Sequence, residues 1–161
     1  MEILEVKQVN DALAEMVALF RVELRSYKGI VSKPNIEAGR EEMEEYLSAK
    51  FPVYAALVDG EYAGYVVCRV DSEVVWVESI FVKEEYRRHG VANALQSKAD
   101  EIAASYGDDT VYNYVHPNNH RMIEFLRKRG YTVLNLIEIR KPHKDEKLTQ
   151  TIAVGEHEFD Y

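Results

Sequence analysis

The clearest chemistry in the sequence lies in residues 83–92, which read KEEYRRHGVA and link a strand-like run to the next amphipathic segment. A loop that carries basic residues and a glycine, and that leads into a helix, presents unpaired backbone N–H groups at a positive helix end. Such an end binds phosphate, and a glycine lets the backbone approach closely because it has no Cβ. The pattern therefore indicates a phosphate site at Arg87, Arg88, His89, Gly90, Val91 and Ala92, although an ordinary solvated loop is the simpler interpretation of this segment by itself.

A second candidate is Glu78, an acid in the middle of the otherwise apolar run VVWVESIFV. A carboxylate in such a strand is costly unless it faces water or a partner. It could take a proton from an ammonium group, which must be deprotonated before its nitrogen can attack. We expect Glu78 to act as a general base, directly or through water. Ser79, which would lie on the opposite face of a regular strand, is the alternative polar group. The simpler interpretation is that Glu78 faces solvent and has no role in the reaction.

Strands and helices alternate around these residues. A strand over residues 3–9 precedes a helix that Asn10 can cap, and Asn35 can cap a second helix. Residues 51–58 and 62–70 predict two strands joined by a turn at residues 59–60, with Gly64 at a bulge or bend. Residues 74–82 complete an antiparallel meander of three strands.

The second half predicts a helix over residues 91–106, a strand over 111–115, a short helix that Gly130 closes, and strands over 131–139 and 149–154. The strand–helix–strand crossover within this order gives a mixed sheet with helices on its faces. We therefore expect an α/β (α+β) fold with a mostly antiparallel central sheet of about seven strands and about four helices. The length fits a single domain over residues 1–161.

Two segments together resemble a known family. Arg87-x-x-Gly90-x-Ala92, after a strand VxSIFV and before an amphipathic helix, resembles the acetyl-CoA pyrophosphate loop of the GNAT superfamily of N-acetyltransferases. Residues 119–131, NHRMIEFLRKRGY, are similar to the next signature of that superfamily: an asparagine, a short helix ending in a basic residue, then glycine and an aromatic residue. One helix and one strand separate the two signatures, as in the family.

The resemblance implies a GNAT-type fold and acetyl-CoA as co-substrate without a metal. It implies that the backbone of Phe81 and Val82 pairs with the pantetheine arm, that residues 87–92 wrap the pyrophosphate, and that Asn119 contacts the pantetheine side. The implied reaction is direct attack of a primary amine on the thioester in a ternary complex. Two alternatives remain: a non-catalytic module of the same fold that binds CoA or acyl-CoA, and a phosphate-binding α/β protein without acyl chemistry.

The chain departs from the family at Leu126, where many members carry the tyrosine that protonates the departing thiolate. Tyr114 is our candidate general acid in its place, with Tyr112 and Tyr131 as alternatives, and a CoA thiolate can also leave without an acid. Glu23, on the first helix, is among the candidate contacts for the acceptor, as are Arg25 and Tyr27.

Composition excludes several other functions. Lys and Arg total 20 against 28 Asp and Glu, and the net charge of −8 argues against nonspecific nucleic-acid binding. No apolar run approaches the ~20 residues of a membrane span, and one cysteine excludes an internal disulfide and a cysteine-built zinc site. We expect a cytoplasmic protein without a signal peptide that acts on a small-molecule or peptide amine. Its final strands could pair with a second copy as a homodimer.

Overall fold

A computed structural model describes all of residues 1–161 and confirms the mixed α+β class. The regular elements in chain order are β1 (Glu2–Glu5), α1 (Asp11–Ser26), α2 (Ile36–Ser48), β2 (Val53–Val58), β3 (Glu61–Asp71), β4 (Val74–Val82), α3 (Val91–Ser105), β5 (Tyr112–Asn113), α4 (His120–Lys128), β6 (Thr151–Val154) and β7 (His157–Asp160). A single 3-10 turn, Glu84–Tyr86, lies between β4 and α3.

The main sheet has the order β1-β2-β3-β4-β5. Its first four strands are antiparallel neighbours, and β5 runs parallel to β4 after the crossover through α3, as the sequence predicts. The predicted strand count of this sheet was wrong: it holds five strands, because β6 and β7 form a separate two-stranded sheet.

The predicted strand over residues 131–139 does not form; these residues have no regular structure. Their apolar and β-branched composition is typical of strands, but strand preference depends on burial against neighbours. Here the side chains of Val133, Leu134 and Leu136 are 86%, 70% and 74% exposed, so no such burial stabilises a strand.

Helices α1 and α2 pack on one face of the sheet and bury its central side chains. Leu13, Met16 and Met43 are fully buried there together with Tyr65 of β3. The two helices approach closely at Gly39, where a Cβ would stand 2.3 Å from the Ala14 carbonyl oxygen.

The predicted helix caps are confirmed. The Asn10 Oδ1 accepts the Leu13 N–H at 2.9 Å, and the Asn35 Oδ1 accepts the Ala38 N–H at 3.1 Å. Each side chain satisfies one of the backbone donors that a helix start leaves without an intrahelical partner.

The chain divides into two compact units, residues 1–125 and residues 126–161. The first contains the five-stranded sheet and the helices α1 to α3; the second contains the β6–β7 hairpin. The single domain expected over residues 1–161 remains a prediction. None of the helices has the length and apolar character needed to cross a membrane.

Candidate active site

Strand β4 separates from β5 halfway along its length. The two strands pair only at Trp76 with Tyr112 and at Val77 with Asn113. From Ser79 to Val82, β4 therefore pairs with β3 on one edge and has no strand on the other. The free edge presents backbone donors and acceptors to which an extended ligand can bind as an added strand would.

A β-bulge lies where this separation begins. Ser79 pairs with Val67 and Val77 pairs with Cys68, so Glu78 is the extra residue of β4. Bulges occur next to active sites because they re-aim a side chain and interrupt the regular alternation. The sequence alone did not predict this bulge.

The bulge turns Glu78 toward Arg69 of β3. The Arg69 Nε–H donates to the Glu78 Oε2 at 3.2 Å. The guanidinium carbon of Arg69 stands 4.4 Å from the centroid of the Trp76 ring, which packs on Tyr112 at 5.7 Å between centroids. The Glu78 side chain is 33% exposed and forms an ion pair with one basic group, Arg69. A ligand in solvent can therefore reach this carboxylate.

The expectation that Ser79 faces away from Glu78 was wrong, because the extra residue shifts the alternation of β4. The Ser79 Oγ forms a 2.7 Å hydrogen bond with the Tyr65 hydroxyl, on the face of β3 that also carries Arg69. Ser79 is only 2% exposed. Burial raises the pKa of Tyr65, so its hydroxyl stays protonated beside Ser79.

The loop between β4 and α3 differs from the other helix starts. Gly90 has a φ of 82°, in the left-handed region that favours glycine, and α3 begins directly after it without a side-chain cap. The first turn of α3 also lacks an acid, whereas α1 has Asp11 and α2 has Glu37 there. Both features leave the first-turn N–H groups open to an anion.

A cleft of about 250 Å³ opens at this loop. We call it the loop cleft; its lining residues are Val82, Arg87, Arg88, Gly90, Ala92, Asn93 and Phe125. Five of the nine predicted cofactor residues thus line one cleft between the end of β4 and the start of α3: Val82, Arg87, Arg88, Gly90 and Ala92. Val91 is buried beside them. Arg88 and His89 are exposed.

Arg87 has a more fixed position than a solvated loop arginine. Its Nε–H donates to the Val82 carbonyl oxygen at 2.9 Å, and its Nη2 donates to the Glu23 Oε2 at 2.8 Å. Its guanidinium carbon also stands 5.7 Å from the centroid of the Phe81 ring. The side chain therefore connects the end of β4 to helix α1.

Glu23 collects three donors. Besides Arg87, Arg121 of α4 forms an ion pair with its Oε1, and the Tyr27 hydroxyl donates to the same oxygen at 3.1 Å. Burial, followed by the negative charge of Glu23, raises the pKa of Tyr27. The sequence pointed to Glu23 and Tyr27 as acceptor contacts, but it gave no sign of Arg121 as their partner.

A second cleft, of about 560 Å³, borders the same residues. We call it the helix cleft, because α1 forms one of its walls; its lining residues are Glu15, Leu19, Val22, Glu23, Ser26, Phe81, Lys83, Glu84, Glu85, Arg87 and Arg121. Arg87 lines both clefts and so stands between them.

The remaining predicted residues are more dispersed. Asn119 caps α4, since its Oδ1 accepts the Met122 N–H at 3.2 Å. The Tyr114 side chain is 63% exposed, Tyr112 packs on Trp76, and Tyr131 belongs to the second unit. None of these observations tests a role in catalysis, so the general acid stays a prediction.

The known proteins that this chain resembles are acetyltransferases. A family model described as Acetyltransferase (GNAT) family matches residues 16–131. An N-alpha-acetyltransferase of Sulfurisphaera tokodaii is 30% identical over 114 residues, which cover 60% of this chain and 64% of the relative. An uncharacterized N-acetyltransferase of Methanocaldococcus jannaschii is 32% identical over 81 residues, which cover 46% of this chain and 36% of the relative. The match thus spans less than two thirds of either relative.

Among solved structures, the aminoglycoside N-acetyltransferase AAC(6')-Iy in complex with the bisubstrate analogue CoA-S-monomethyl-acetylneamine is similar, with a TM-score of 0.62. It is 22% identical, and the match covers 88% of this chain and 98% of that one. At this identity the likeness concerns the fold.

Proposed function

The chain belongs to the GNAT acetyltransferase family, and from that premise we propose that it transfers an acetyl group from acetyl-CoA to a primary amine. The observation that carries the proposal is the free edge of β4, which runs from the bulge at Glu78 to the uncapped start of α3. The candidate base Glu78, the free edge for the pantetheine arm and the anion site at the start of α3 thereby follow one another along β4 and the loop after it.

The residues at this edge fit acetyl-CoA. The first-turn N–H groups of α3 and the exposed Arg88 suit a diphosphate, and Gly90 has open space where a Cβ would stand. The backbone N–H and C=O of Val82 face the free edge and suit the amides of a pantetheine arm, whereas those of Phe81, the neighbouring residue, point to β3. The Val82 carbonyl already accepts from Arg87, and its oxygen can accept a second bond.

When bound, acetyl-CoA supplies an activated thioester that a neutral amine can attack directly in a ternary complex. The protein's task is to produce that neutral amine, because an ammonium with a pKa near ~10.4 is mostly protonated at neutral pH. Glu78 is proposed to accept this proton, directly or through water, while Arg69 holds its carboxylate. Tyr114 is proposed as the group that protonates the thiolate, which can also depart unassisted.

The acceptor is proposed to be a small-molecule or peptide amine. Two kinds of relative support that range: the similar Sulfurisphaera protein is named an N-alpha-acetyltransferase, and the similar solved structure is an aminoglycoside acetyltransferase. The helix cleft adds local support through the exposed Glu84 and Glu85, which can attract a cationic amine. Its other two glutamates, Glu15 and Glu23, already pair with basic residues of the same cleft.

The first experiment is the melting temperature with acetyl-CoA and CoA, with ATP and NAD as controls. A ligand at 100 times its dissociation constant adds about 2.7 kcal/mol, which raises the melting temperature of a chain of this size by several degrees. A shift with acetyl-CoA and CoA but not with the controls is expected. An equal shift with every nucleotide would favour a general phosphate-binding protein instead.

An amine panel with thiol detection then separates catalysis from binding. Release of free CoA in the presence of one amine class is the expected result, and a product mass increased by one acetyl group identifies the reaction. CoA binding without turnover on small amines or peptide N-termini would favour a non-catalytic CoA-binding module.

A further inference from the structure

Glu23 of α1 accepts hydrogen bonds from three side chains beside the proposed cofactor loop, although it is far from that loop in sequence. Its carboxylate accepts from Arg87 in the β4–α3 loop, from Arg121 on α4 and from Tyr27 after α1. Its side chain is 25% exposed and that of Arg87 is 27% exposed, so both are partly shielded from solvent.

The two bonds of Arg87 fix the plane of its guanidinium. The Nε–H is held by the Val82 carbonyl and the Nη2 by Glu23, while the ring of Phe81 lies beside the group. An arginine offers five N–H donors in a rigid fork, so the others remain available to the loop cleft that Arg87 lines.

The charge balance favours binding of an anion. One carboxylate faces two guanidinium groups, those of Arg87 and Arg121, and the pairing therefore leaves a net positive charge beside the loop. A side chain that is held before its ligand arrives loses less conformational freedom on binding than a mobile one.

We infer that Glu23 is a positioning residue that acts through Arg87, holding its guanidinium where the β4–α3 loop receives the diphosphate of the acetyl donor. The inference rests on the proposed function. If Glu23 instead competes with the diphosphate for Arg87, removing its charge would make CoA bind more tightly.

The test measures CoA binding by calorimetry in Glu23→Gln. Because Gln removes the charge that orients Arg87, the dissociation constant for CoA is expected to rise about tenfold. Glu101→Gln is the matched control: it removes one carboxylate from an ion pair with Lys98 on the exposed side of α3 and should leave CoA binding unchanged. Tighter or unchanged binding in Glu23→Gln would overturn the inference.

Two further readouts distinguish positioning from a general structural effect. At saturating amine, Glu23→Gln should lower the kcat/KM for acetyl-CoA more than that for S-acetylpantetheine, which keeps the thioester but has no diphosphate. In an Arg87→Gln background, Glu23→Gln should add no further loss of CoA affinity, because its effect passes through Arg87. Equal losses with both donors, or additive losses in the double variant, would overturn the inference.

Glu23→Asp covers the case in which Glu23→Gln does not fold. It keeps the charge but shortens the side chain by one methylene, so it should fold and still bind CoA more weakly than the wild type. Wild-type affinity in this variant would contradict a positioning role. If the wild type binds CoA and the variants bind it equally well, this inference alone is refuted. If the wild type binds no CoA, the proposed function is refuted as well.

Discussion

Two groups of similar composition, each an acid, an arginine and an aromatic residue, lie beside the free edge of β4. The exit cluster consists of Glu23, Arg87 and Phe81, and the bulge cluster consists of Glu78, Arg69 and Trp76. In each, an arginine donates to a carboxylate, at 2.8 Å in the exit cluster and 3.2 Å in the bulge cluster, and lies over an aromatic ring. Residue types alone would assign them the same role.

The number of donors separates the two clusters. Glu23 accepts from three side chains, whereas Glu78 accepts from Arg69 and projects from a bulge at the surface. A carboxylate has about four lone-pair sites, so three donors use most of its capacity and one leaves most of it free. The comparison suggests that a carboxylate surrounded by donors holds its neighbours in place, and that one with a single donor remains available for a proton.

The strongest way to break the comparison is Glu78→Gln in the bulge cluster. Loss of the base should lower kcat by about 100-fold, because Gln cannot accept the ammonium proton. The dissociation constant for CoA should stay unchanged, since Glu78 does not line the loop cleft. Steady-state kinetics and calorimetry measure the two quantities, and an unaltered kcat would remove Glu78 from the proposed mechanism.

The converse change places a new carboxylate near the exit cluster. Ala92→Asp puts a negative charge in the first turn of α3, where it should repel a diphosphate and raise the dissociation constant for CoA about 30-fold. The kcat at saturating acetyl-CoA should change little. The stability of the free protein should not fall, because an acid near a helix N-terminus is favourable.

Ala92→Asn is the neutral control of similar size. Affinity close to that of the wild type is expected for this variant. If Asn weakens CoA binding as much as Asp does, steric bulk rather than charge explains the effect, and the anion site would lie elsewhere.

Asn119→Ala sharpens the comparison at the helix that carries Arg121. The lost cap of α4 should cost about 1 kcal/mol and lower the melting temperature by roughly 2–4 °C. If Asn119 also contacts the cofactor, CoA affinity should fall about fivefold. Asn10→Ala, which removes the cap of α1, should reproduce the loss of stability but not the loss of affinity; identical affinities in both variants would leave Asn119 as a cap alone.

The smallest expected effect is a pH dependence beside the exit cluster. Burial, with the nearby charge of Lys28, lowers the pKa of His116, whose ring stacks on Tyr27 and whose Nδ1 accepts the Asn118 N–H. The unfolded chain therefore binds the proton first as the pH falls below about 6.5, and stability decreases there. Melting temperatures at pH 7.5 and 5.5 should differ slightly less in His116→Asn, and an undiminished difference would contradict this assignment.

Much of the fold follows from local sequence. The caps at Asn10 and Asn35, the turn at Asp59-Gly60 and the bounds of β4 depend on residues within a few positions of one another, and all were predicted. The strand predicted over residues 131–139 does not form, because a strand-like composition does not show whether a partner will bury the strand.

The candidate site was predictable only in part, for the same reason. The loop around Gly90 is contiguous and has a recognisable pattern, so its residues were found together. The contact of Glu23 with Arg87 joins positions 64 residues apart, and the bulge at Glu78 shows only in the register between β3 and β4. No local pattern encodes either of them.

The register of the bulge has a consequence for how this chain can vary over evolution. Every residue of β4 except Glu78 pairs with β3, and the pairs on either side continue in an unbroken order along β3, from Val67 to Cys68. A chain lacking Glu78 could therefore keep all the other pairs of this ladder. Glu78 occupies the one position of β4 that does not pair with β3, so selection can replace it with a side chain of different chemistry while the pairing of the strand is kept.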